Sequence, residues 1–145
     1  FRFINHSKYA IDVFPIEDMA EFDDVKSHPN IRVLISRMEN NFKEKDYSGV
    51  LHSSANVFET MAKDIIGTET IEDKTLKSFF ERYRKDSLLS EKILDYIISV
   101  YDRRNTEPLA GHGSTKLPTL NKKQATTLKE LTKAFVKIEY QLKWE

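Results

Sequence analysis

Cysteine is absent from this 145-residue chain. A disulfide framework and thiolate metal sites are therefore excluded, and the composition fits a reducing, cytoplasmic setting. Glycine and proline are scarce, four of each, and with 32% charged and 11% aromatic residues the chain reads as a helix-rich globule, not a disordered tail. No apolar run approaches the roughly 18–20 residues needed to span a bilayer, so no membrane partner is expected. The N-terminal hydrophobics are broken by Arg2, Asn5, His6, Lys8 and Asp12, which is not a signal-peptide pattern. The chain opens on Phe1, which suggests a piece of a longer protein with a leader or an N-terminal domain out of view. His6, His28, His52 and His112 stand far apart with no HExxH-type pairing, so neither a metal nor a cofactor is expected.

An excess of either charge is missing too, since 23 basic side chains balance 23 acidic ones. The distribution is uneven. Residues 1–24 carry two basic and six acidic side chains, whereas residues 103–137 carry eight basic and two acidic. A neutral chain with a local basic surface remains compatible with a polyanionic partner.

What is present is helical periodicity. Residues 1–30 lack it: Tyr9–Ile16 reads as a short strand, and Pro15 with the acidic run to Asp24 suggests a linker or docking arm. From there Ile31, Leu34, Ile35, Met38 and Phe42 repeat on one helical face, started by Pro29 and Asn30. Asp46 caps a second helix bearing Tyr47, Val50, Leu51, Ser54, Phe58, Met61 and Ile65, stopped by Gly67. A third presents Leu76, Phe79, Phe80 and Tyr83; a fourth presents Ile93, Leu94, Ile97, Val100 and Tyr101 and ends near Arg103–Asn105. Asn121 and Gln124 form a capping box for the last helix. Its stripe of Leu128, Leu131, Phe135, Ile138 and Leu142 leaves Lys122, Lys129, Lys133 and Lys137 on the opposite side. The expectation is all-α: an antiparallel bundle of four to five helices over residues 31–145, with residues 1–30 as an irregular arm.

Chemistry concentrates at the end of the fourth helix, in Arg103-Arg104-Asn105-Thr106-Glu107-Pro108-Leu109-Ala110-Gly111-His112-Gly113. Two of the four glycines flank His112, which suggests a tight backbone there. An always-charged guanidinium beside a group that titrates near neutrality can hold a phosphate and move its protons. Helix termination is the other account of the same residues: a basic last turn complements the macrodipole, Asn tolerates a left-handed cap, and a loop His caps carbonyls.

The RN…HG pattern of Arg104, Asn105, His112 and Gly113 resembles the HEPN superfamily, in particular the C-terminal domain of abortive-infection (Abi) proteins. The segment Ser53-Ser54-Ala55-Asn56-Val57-Phe58-Glu59 is similar to that family's small-residue helix leading to a glutamate. The likeness covers roughly residues 31–142. Seven residues separate Arg104 from His112, one more than the family's usual limit. The resemblance implies a metal-independent endoribonuclease of the toxin or antiviral-defence type, cutting RNA by attack of the ribose 2′-hydroxyl on the adjacent phosphate. It implies a homodimer whose composite site pairs two copies of the motif, with an antitoxin or a sensor domain as further partners. Under it, His112 transfers protons, Arg104 stabilises charge, Asn105 orients phosphate or ribose, and Glu59 supports the motif. Lys122, Lys129 and Lys133 are the candidate RNA-binding side chains. His52, at mid-helix, reads as a surface or packed residue. The alternative functions are a non-catalytic HEPN-like dimerisation or nucleic-acid-binding module, and a helical interaction domain that docks through its acidic arm.

Overall fold

The computed structural model describes residues 26–145, which form an all-helical bundle. The expected strand at Tyr9–Ile16 and most of the acidic arm lie outside the described residues. Five α-helices follow in chain order: α1 (Pro29–Lys43), α2 (Tyr47–Ile66), α3 (Leu76–Asp86), α4 (Glu91–Thr106) and α5 (Lys122–Trp144), with a short 3₁₀ turn at Glu69–Ile71 between α2 and α3. Residues 29 and 30, assigned to the arm from sequence, make the first turn of α1. His28 caps that turn, its Nδ1 accepting from the Asn30 N–H at 3.1 Å, and Pro29 sits where a missing N–H costs nothing. Asp46 caps α2 by accepting from the Gly49 N–H at 2.9 Å, and Gly67 ends it with φ +75°. The Asn121–Gln124 capping box starts α5.

Helix α2 is the axis of the bundle and packs against all four others. Val50, Leu51, Phe58 and Met61 are buried as their spacing requires, but so are Ser53, Ser54, Ala55 and Ala62. Small side chains let α5 approach closely, and the Ser54 hydroxyl meets that of Thr132 at 2.6 Å inside the contact. Ile31, Ile35 and Met38 of α1, Leu76 and Phe80 of α3, and Leu94 and Ile97 of α4 close the core around α2.

The face that α5 buries differs from the expected one. Its inward residues are Ala125, Leu128, Thr132, Val136, Glu139 and Tyr140. Leu131 and Phe135 are only half-buried, while Ile138 and Leu142 are 37% and 36% exposed. Polar groups are accepted inside because they find partners there. The Glu139 carboxylate takes hydrogen bonds from the Tyr83 hydroxyl at 2.8 Å, the Ser87 hydroxyl at 2.7 Å and the Leu88 N–H at 3.2 Å. Burial first, then the facing Glu139 charge, pushes the Tyr83 phenol well above its ordinary pKa, so it remains a donor.

Candidate active site at the end of α4

Helix α4 ends by delivering Arg104 and Asn105 to the start of a long loop. One anchor of the loop is the side chain of Glu107, which is only 6% exposed. Its carboxylate accepts the Thr119 N–H at 2.6 Å and the Thr119 hydroxyl, with the Arg103 guanidinium at 3.7 Å. Burial acts to raise its pKa, but the bonds from Thr119 and the Leu120 N–H outweigh that and hold it below the ordinary carboxylate range. The Glu107 carbonyl accepts from the Ala110 N–H at 3.2 Å, closing a turn with Pro108 and Leu109 at its centre. Leu109 has φ +66°, the sign a type II turn demands at that position and one that favours glycine.

The backbone strain expected around His112 therefore sits at Leu109. Among the described glycines only Gly67 has a left-handed φ. Gly111 is needed for a different reason. A Cβ there would lie 3.1 Å from Arg104 Nε, 3.6 Å from its Nη2 and 3.7 Å from His52 Nδ1. A side chain there would be tight only against the Arg104 Nε, with the His52 ring at ordinary contact distance. Gly113 has open space around it.

Arg104 lies behind Gly111, its guanidinium 5.6 Å from the centre of the Tyr101 ring. Its Nε is buried and finds no hydrogen-bond acceptor among the described residues, a donor left unspent. His112 is exposed and lines a shallow groove of about 480 Å³, together with Asn41 of α1, Asp46 of the α1–α2 turn, Gly49 and His52 of α2, and Leu109, Gly111 and Gly113 of the loop. Asp46 carries a charge of the wrong sign for an anion, but both its oxygens are used, by the Gly49 N–H and by the Asn41 amide at 3.1 Å.

The structure thus brings Arg104 and His52 to Gly111; His52 and His112 line the groove, and Arg104 does not. Asn105 is exposed on the last turn of α4 and does not line the groove. Glu59 does not pair with Arg104: it binds Lys63 at 3.2 Å along α2 and lines a separate groove of about 410 Å³ beside the 3₁₀ turn. The ring of His52 is the contact the sequence did not announce. Its Nδ1 lies 2.8 Å from the Ala110 carbonyl oxygen, and its Nε2 lies 3.3 Å from the Asn56 side-chain amide.

The lysine face of α5 is not a continuous cationic surface. Lys133 is 4% exposed. It pairs with Glu39 of α1 at 3.5 Å and with Glu130 at 3.1 Å, and Lys129 reaches the same two carboxylates at 3.2 Å and 2.7 Å. Burial alone would lower the Lys129 pKa, but Glu130 and Glu39 hold it above its ordinary value. These two side chains tie α5 to α1 and share their charges with Glu39 and Glu130. Lys122, in the first turn of α5, is exposed. Among the described residues no three His, Asp or Glu side chains are grouped as metal ligands, and no helix is long and apolar enough to cross a membrane.

Comparison with protein-family models, curated proteins and solved structures finds no match to the chain.

Proposed function

We propose that the chain is a metal-independent endoribonuclease domain of the HEPN-like toxin or defence type, acting on cytoplasmic RNA as a homodimer. What supports the reading is one juxtaposition: the unspent Nε–H of Arg104 lies against the Gly111 backbone, one residue before His112 on the groove wall. The reaction asks for three things. A base must remove the ribose 2′ proton as the 2′-oxygen attacks phosphorus. An acid must protonate the 5′-oxygen as the phosphorus–oxygen bond breaks, leaving a 2′,3′-cyclic phosphate. A fixed cation must hold the charge that develops between these events. An imidazole, with a reference pKa of about 6.5, serves either proton transfer near neutral pH. Arg104 keeps its proton and supplies the cation. One His112 does not readily serve as base and acid at the same moment, and in this reading a second copy of the motif across a homodimer supplies the other imidazole.

The competing reading, a non-catalytic HEPN-like dimerisation or nucleic-acid-binding module, draws on the half-burial of Arg104 behind Gly111, which limits how fully its fork reaches a ligand. Incubation with RNA in EDTA separates the two, with wild type set beside folded His112→Ala and Arg104→Ala variants. The ribonuclease reading expects cleavage by wild type alone. Intact RNA in every lane, with dimers retained, supports the module instead.

A further inference from the structure

We infer that His52 is a positioning residue for this reaction: its ring latches the loop that carries His112. The inference rests on the ribonuclease reading above. A backbone carbonyl can only accept, so the 2.8 Å contact with Ala110 requires that His52 Nδ1 carry a proton and donate it. In the neutral ring Nε2 is then the acceptor, and it faces the Asn56 amide at 3.3 Å. Both ring nitrogens are engaged, and the ring is held from its own helix by a residue one turn on.

The peptide units on either side of Ala110 are consequently fixed. Its N–H donates to Glu107 at 3.2 Å, its carbonyl accepts from His52, and its side chain is fully buried. The next residue, Gly111, is the one that Arg104 Nε lies against, and His112 follows directly. Placement of the candidate proton-transfer group is thereby decided by a side chain on α2. Loss of registry of the order of an ångström between reacting groups costs about a hundredfold in rate.

The test uses the whole chain as wild type, His52→Ala, His52→Asn and His52→Gln. An asparagine amide falls near the position of Nδ1 and can donate to Ala110; a glutamine amide falls near Nε2 and cannot. Two readouts are taken: backbone order of residues 109–113 by NMR relaxation, and kcat for RNA cleavage in EDTA across pH. The inference expects Ala and Gln to loosen the loop and lower kcat about a hundredfold. Asn should restore both, with the pH profile of wild type. An Asn variant with an ordered loop but no cleavage overturns it, because His52 would then act on the substrate through Nε2. A loop equally ordered in the Ala variant overturns it irrespective of activity. If wild type leaves RNA intact, the ribonuclease reading and the positioning of its reaction by His52 fail together, while the NMR measurement still decides whether His52 holds the loop.

Discussion

Replacing Glu107 by glutamine tests how the loop is held, because shape is kept while the charge and one of two acceptor oxygens are removed. The carboxylate is almost fully buried and accepts two bonds from Thr119, one from its N–H and one from its hydroxyl. The bond that the amide oxygen keeps falls from ~1.5–3 kcal/mol with a charged acceptor to ~0.5–1.5 kcal/mol with a neutral one, and the other loses its acceptor. Glu107→Gln should therefore cost about 2 kcal/mol at neutral pH. The pH dependence follows from the direction of the shift. Glu107 is held below the ordinary carboxylate range, so its stabilisation is fully present above the unfolded value of about 4.3. It is lost as pH falls through the lower folded value. Urea denaturation of both proteins at neutral and at acidic pH reads this directly. The gap between their midpoints should be large at neutral pH and close in acid. A gap that stays constant would refute the assignment of the stabilisation to the ionised carboxylate.

Two further substitutions probe the frame around the site. Gly111→Ala places a methyl 3.1 Å from Arg104 Nε, so the guanidinium must give way; cleavage should fall about tenfold or more with little change in melting temperature, and unchanged cleavage would remove Arg104 from the site. Glu139→Ala strands the Tyr83 hydroxyl, the Ser87 hydroxyl and the Leu88 N–H, which at ~1–3 kcal/mol per unsatisfied group should cost about 3 kcal/mol or more. Chemical denaturation measures this, and a loss under 1 kcal/mol (roughly the value of an average hydrogen bond) would mean that the junction between α3 and α4 rearranges to water.

The helices were legible because caps and apolar spacing are local. His28 to Asn30, Asp46, Gly67 and the Asn121–Gln124 box act within a few residues of where they are read. The inward face of α5 was not legible from its own spacing. Thr132 and Glu139 look like surface residues until Ser54, Tyr83 and Ser87 arrive from other helices to bond them. The same reason turns Lys129 and Lys133 inward, since their partner Glu39 lies on α1. At the candidate site, Arg104 on the last turn of α4 and His112 on the loop that follows are close in sequence and could be found by eye. His52 could not, because it bonds a carbonyl 58 residues away and no side-chain pattern marks a carbonyl. The two glycines around His112 pointed to a strained backbone, whereas Pro108 places the left-handed residue at Leu109 and Gly111 serves close approach.

The chemistry of the product ends is the most direct test of the central claim. Wild-type protein is incubated in EDTA with an RNA of defined sequence, beside the same RNA carrying a 2′-deoxyribose at the mapped cleavage position. Attack by the 2′-hydroxyl, with Arg104 and His112 as its cation and proton-transfer group, predicts 2′,3′-cyclic phosphate ends and no cut at the deoxy position. Products ending in a 3′-hydroxyl, or cleavage that persists at the deoxy position, would contradict it.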